Sequence, residues 1–323
     1  MNWWLTLAGA FVGVVVGLTG MGGGALMTPV LVLFFNMPPL AAVSNDLVVS
    51  ALTKPVGGAV HLRRGTVNMG LVKWLSIGAV PSAFGGVLIA RALGSGARVE
   101  NFVKYALGVA LLVAVVSLLV KAYLRLRERA RRRGDGASYD LSVHDLAIRP
   151  VATLLIGIVG GVVVGLTSVG SGSLIIIALI AIYPRLSTSS LVGTDLVCSV
   201  PLVASAALGH IIFGDFHASV ALPLVLGMLP GTYFGARMSA TLPSGAIRRA
   251  LTFVLLASSM KLLGVGTDET VIVLVAVIIV GIPTWMALRV HHGFRARPAA
   301  APRTAPVPAG VPAGTAAQNT DED

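Results

Sequence analysis

Apolar residues run through this chain in stretches of about 18 or more, the length an α-helix needs to cross a bilayer, parted by short polar or basic segments. The pattern predicts a broken segment over 3–35, then segments at 41–60, 69–90 and 101–121. A second broken segment follows at 151–183, then segments at 189–212, 218–236 and 246–264, and one more at 269–289. Counting each broken segment as one helix or two gives nine to eleven membrane segments. The expected fold class is an all-α polytopic membrane protein.

The breaks are the unusual part. Gly17-Leu18-Thr19-Gly20-Met21-Gly22-Gly23-Gly24-Ala25-Leu26 returns 148 residues later as Gly165-Leu166-Thr167-Ser168-Val169-Gly170-Ser171-Gly172-Ser173-Leu174. Glycine costs about 1 kcal/mol relative to alanine inside a helix, so such clusters mark unwound backbone. In lipid, unwound backbone survives only where protein buries it or where it lines a cavity. After one residue's slip the match continues at an offset of 149: Asp46 with Asp195, Ser50 with Ser199, His61 with His210, Gly65 with Gly214, Pro81 with Pro230 and Gly86 with Gly235. The chain is expected to be a duplication. A broken segment adds either no crossing or two, so each half crosses an odd number of times and the halves point in opposite directions. The expected architecture is therefore two inverted repeats, each opened by a glycine-broken helix, plus one extra C-terminal helix.

Composition agrees: 55% of residues are hydrophobic, 11% are charged, and mean hydropathy is +0.88. The net charge of +11 raises nucleic acid as a partner, but its distribution argues against one. It gathers in Lys121, Arg125, Arg127, Arg129, Arg131, Arg132 and Arg133, and again in Arg289, Arg295, Arg297 and Arg303. Both groups lie just past an apolar segment, the positive-inside mark of cytoplasmic chain, where they can also meet anionic lipid. With the linker inside, Arg63-Arg64, Arg185, Arg237 and Arg248-Arg249 fall inside too, and only Arg91 and Arg98 lie on the other side. The expected organisation is a first repeat at 1–121, a basic cytoplasmic linker at 122–148 and a second repeat at 149–265. An added helix at 266–290 and a disordered cytoplasmic tail at 291–323 complete it. The N-terminus has no basic region or small-residue cleavage site of a signal peptide and is expected to be retained.

The glycine-rich break, then His61-Leu62-Arg63-Arg64-Gly65-Thr66-Val67 and Pro81 to Gly86, resemble the TauE/SafE family. The second half repeats the pattern as Gly209-His210 to Gly214-Asp215-Phe216 and Pro230 to Gly235, so the resemblance covers roughly 5–265. It implies a multi-pass permease of the inner or plasma membrane, of a kind linked to sulfite, sulfonates and related small organic anions. Homo-oligomers are compatible with it. The linker and tail are additions to the family's pattern.

Helices that restart after each break would aim free N–H groups and a positive dipole end inward, a ready anion site. The candidate substrate set is Thr19, Gly20, Gly22, Gly23 and Gly24 in the first break, and Thr167, Ser168, Gly170, Ser171 and Ser173 in the second. Asn45, Lys54 and Thr194 join it. The plainer alternative is that the glycines only let helices pack closely. Lys54 stands alone in the apolar stretch Val48–Val60, with Val203 at its place in the second half. A lysine in a membrane core faces a cavity or a partner; here the options are an anion cavity, snorkelling, or pairing with Asp46. Asp46 and Asp195 are either helix caps or groups that couple transport to protons or cations. His61 and His210 are coupling candidates at loop ends, with a structural role as the alternative.

No Walker loop, metal-spaced Cys/His cluster, dinucleotide fingerprint or nucleophile elbow occurs, so no cofactor, metal or catalytic residue is expected. Cys198 reads as a small core residue. The function expected is a secondary transporter of a small anion working by alternating access. The competing reading is a membrane-embedded enzyme or assembly factor that uses the same cavity without net transport.

Overall fold

A computed structural model of the chain describes residues 3–291 apart from 20–22, 64, 66, 95, 135–146, 185, 187 and 239–243. Among the described residues there are helices and no strands: α1 (Trp3–Thr19), α2 (Gly24–Phe34), α3 (Pro39–Arg63), α4 (Met69–Ala92), α5 (Ala97–Gly134), α6 (Pro150–Thr167), α7 (Leu174–Ile182), α8 (Thr188–Phe213), α9 (Ala218–Met238), α10 (Ser244–Leu262) and α11 (Thr267–His291). Helices satisfy every backbone hydrogen bond within one segment, which a bilayer demands. Six of them are long and apolar enough to cross a membrane. Large apolar side chains such as Phe11, Phe34, Leu155 and Ile279 are exposed on the outside, as a lipid-facing surface requires. This is a multi-pass membrane protein.

Both broken segments are pairs of helices, α1 with α2 and α6 with α7. The second pair is a hairpin. Ile175, at the start of α7, lies against Gly160 in the middle of α6. At the other end of α7 the Tyr183 hydroxyl meets Thr153 Oγ1 at 2.7 Å and accepts from the Arg149 amide at 2.8 Å. α7 therefore returns to the end from which α6 set out, and this segment makes no net crossing. The tail from 292, the central part of the linker, and Gly20 and Gly22 lie outside the described residues.

The halves pack by exchange. α1 lies along α9, and α4 lies along α6. Glycines make these approaches close: a β-carbon on Gly9 would stand 2.6 Å from the Leu224 carbonyl oxygen. Its repeat counterpart Gly157 meets the carbonyl of Leu75, the counterpart of Leu224. A polar contact is duplicated in the same sense. The Asn45 amide oxygen accepts from the His217 amide at 3.2 Å, and the Thr194 hydroxyl accepts from the Asn68 amide at 3.1 Å; both members of each pair differ by 149. Two apolar cores result. One is built mainly on α4, α6, α7 and α8, the other on α1, α2, α5, α9 and α10, and α3 contributes to both.

Candidate functional site

The second break is the turn Ser168–Ser173 between α6 and α7. Ser168 ends α6 in the left-handed region at φ 59°, and Gly170 and Gly172 follow at φ 138° and 91°. A β-carbon opposes the latter two conformations, which explains glycine at both. The turn folds the Gly170 carbonyl over the start of α7, where it accepts from the amides of Ser173, Leu174 and Ile175 at 3.2, 3.0 and 3.3 Å. The expected open N-terminus is thus not found at α7: its first amides are spent on its own turn. At α2 the cap is Gly23, with right-handed helical angles and no side-chain cap, and its carbonyl accepts from Leu26 and Met27, both at 3.0 Å.

Asp46 joins the two breaks. Its Oδ2 accepts from Thr28 of α2 at 2.7 Å and from Ser168 of the second break at 2.6 Å. Gly24 packs directly on the Ser168 carbonyl. Asp46 is fully buried and its Oδ1 has no hydrogen-bond partner, while the Ser50 hydroxyl acts on the carboxylate from one turn further along α3. Asp195 is buried likewise, lies beside the backbone of Gly172, and has an unpartnered Oδ1. Neither is a helix cap, because each lies two turns inside α3 or α8. The sequence left capping open because the polar residues before each aspartate look like a helix start; both helices begin earlier.

Two lysines close on the turn. Lys54 Nζ donates to Ser171 Oγ at 2.6 Å, and Lys121 Nζ donates to the Gly172 carbonyl. Beside them the Ser117 hydroxyl donates to the Ser173 carbonyl at 3.0 Å. Both lysines are buried. Among the described residues no carboxylate lies within ion-pair distance of either ammonium. Lys54 therefore does not pair directly with Asp46 and does not snorkel. The charges acting on it are those of Asp195 and Asp46, while Lys121 feels Asp195 and the Arg248 guanidinium.

Other candidates are occupied elsewhere. Thr19 and Thr167 are matched in the repeat and donate back to their own helices, at Val15 and Val163, both at 2.7 Å. The Asn45 amino group donates to Ala41, and its oxygen, like the Thr194 hydroxyl, holds an interhelical loop as described above. His210 is fully buried: one ring nitrogen is 2.7 Å from Ser44 Oγ and the other 2.8 Å from the Gly165 carbonyl oxygen. It ties α8 to α3 and α6. His61 sits half-buried in the last turn of α3. Cys198 is a buried core residue within 3.6 Å of the Ser76 hydroxyl.

Residues 5–262 match the family model described as sulfite exporter TauE/SafE. The chain belongs to the TauE/SafE family. It is 36% identical over 260 residues to "Probable membrane transporter protein YjnA" of Bacillus subtilis (strain 168), covering 80% of this chain and 98% of that one. "Probable membrane transporter protein YdhB" of the same organism is 26% identical over 246 residues, 74% of this chain and 91% of that one. No solved structure matches. A TauE/SafE chain with these relatives is a membrane transporter, not an enzyme.

One site residue of this TauE/SafE protein was misread from sequence. Lys121 counts with the basic linker when charges are tallied along the chain, yet it is buried in α5 and grips the second break. The reason is that α5 continues to Gly134, so the end of the apolar run is not the end of the helix. A signal was available: Ala110, Ala114, Ser117 and Lys121 recur at helical spacing on one face, and all are buried.

Proposed function

We propose that this transporter carries a small anion, such as sulfite, a sulfonate or a short carboxylate, by alternating access. The observation that supports this most is the grip of two buried ammonium groups, both from the first half, on the hydroxyl-rich turn of the second. Buried charges in a membrane protein mark a transport path, and a cation without a paired carboxylate favours an anionic ligand. The proposed substrate contacts are Lys54, Ser171, Ser168 and Ser173, with Gly23 and Gly24 allowing close approach from the first break. Asp46 and Asp195 are the two candidates for the coupling group. His210, with both ring nitrogens occupied, is assigned to holding helices together.

Access switches, in this reading, because the halves are inverted copies. A hairpin without net crossing followed by three helices gives each half an odd count. Two such halves can exchange conformations around a shared site. The linker and tail then lie in the cytoplasm. Arg91, on the opposite side in this arrangement, is held over the Phe213 ring at 4.4 Å, a favourable place for a guanidinium.

Purified protein in proteoliposomes tests the proposal by uptake of labelled sulfite, sulfoacetate, taurine, sulfate and short carboxylates. Flux of at least one anion, lost in Lys54→Gln, is the expected result. Liposomes that hold every anion as tightly as protein-free ones would refute it.

A further inference from the structure

The four buried charged groups around the second break are two acids and two bases, Asp46 and Asp195 against Lys54 and Lys121. With all four ionised the set is neutral. An anion that entered alone would leave one negative charge uncompensated where water is excluded, a costly state. Neutrality returns if one carboxylate takes a proton as the anion arrives.

The surroundings distinguish the two carboxylates. Asp46 is held as an acceptor by two hydroxyl donors, Thr28 and Ser168, of which Thr28 lies outside the proposed substrate contacts. Asp195 depends on the groups an anion would claim. Two cations act on it, Lys121 and Lys54, whereas Lys54 alone acts on Asp46, and Asp195 lies beside the backbone of Gly172, whose carbonyl receives Lys121. Its Oδ1 is buried with no partner. The remaining charged or titratable groups facing this region are Asp46 across α3, Arg248 on α10 beside Lys121, and Cys198 one turn along α8.

We infer that Asp195 acts as the resident counter-charge of Lys54 and Lys121, and that an incoming substrate anion displaces it from that role with uptake of one proton at Asp195. This rests on the anion reading above and deepens it: loading becomes anion plus proton, without net charge. The proton comes from water on the loading side and is released where the anion leaves. By reciprocity, whatever the proton does for the anion, the anion does for the proton. Anion affinity then rises as pH falls, by up to about tenfold per pH unit where the free site is ionised and the loaded one protonated.

Methanesulfonate and isethionate are suitable probes, because each carries a single negative charge, on a sulfonate that stays ionised from pH 5.5 to 8.5. A pH effect shared by the two therefore belongs to the protein. Calorimetric titration of the full-length protein at one pH, in buffers of different ionisation enthalpy, counts the protons taken up per anion and needs no variant. The expected count approaches one for wild type and zero for the isosteric Asp195→Asn, whose anion affinity should also lose its dependence on pH. Asp46→Asn should keep the coupling. Binding with no proton uptake in wild type would overturn the inference while leaving the anion reading intact, as would coupling lost in Asp46→Asn but kept in Asp195→Asn. Absence of binding by both probes at every pH, together with no anion flux in liposomes, would overturn the anion reading and this inference with it.

Discussion

Replacing Lys54 by glutamine is the sharpest perturbation of the site. Glutamine removes the charge and is one atom too short to reach Ser171, which Lys54 Nζ contacts at 2.6 Å. A hydrogen bond involving a charged group contributes about 1.5–3 kcal/mol, which corresponds to roughly 10- to 150-fold in Kd. Equilibrium binding of a labelled anion to purified wild type and Lys54→Gln should show a loss in that range. Lys54→Arg keeps the charge but offers a planar fork where a compact ammonium fits, so its loss should be smaller but measurable. Wild-type affinity in Lys54→Gln would refute the assignment of Lys54 to the substrate. The alternative, Lys54 as the partner of Asp46, makes a different forecast. Under it, Asp46→Asn/Lys54→Gln would be less damaging to stability than Asp46→Asn alone, because an unpaired buried charge is the costly state. With the ammonium placed on Ser171 instead, no such rescue is expected.

Three further outcomes are open to measurement. His210→Leu should lower the melting temperature, since it strands the buried Gly165 carbonyl and removes the tie to Ser44 at about 1–3 kcal/mol; an unchanged melt would return His210 to the coupling candidates. Gly86→Ala and Gly235→Ala, at matched places, should each destabilise by about 1–3 kcal/mol through overpacking, because a β-carbon at Gly86 stands 2.6 Å from the Val162 carbonyl oxygen and one at Gly235 meets Val14 in the same way. Stability unchanged in both would mean that the helix pairs can separate without cost. Reporter fusions at residues 135 and 300 should both read as cytoplasmic, and opposite faces would refute the crossing count between them, the unrepeated helix α11 included.

Hydropathy along the chain was enough to place the helices within a few residues, apart from the end of α5, and to place the second break at 168–173, because the bilayer sets span length and forbids exposed irregular backbone. The offset of 149 read from the identities also relates positions that the fold duplicates without identity, such as Asn45 and Thr194. Both are local or repeated properties, and a linear reading captures them. What only the tertiary structure decided is which polar atoms meet. Ser168 reaches Asp46 across 122 positions, Lys54 reaches Ser171 across 117, and Lys121 leaves a run of linker arginines to bury against Gly172. Nor could the glycines of the second break reveal that they cap α7 from within, since that follows from two positive φ angles. A side chain's charge is written in the sequence, but its burial and its partner depend on the helix packed against it, and for this site that helix usually comes from the other half.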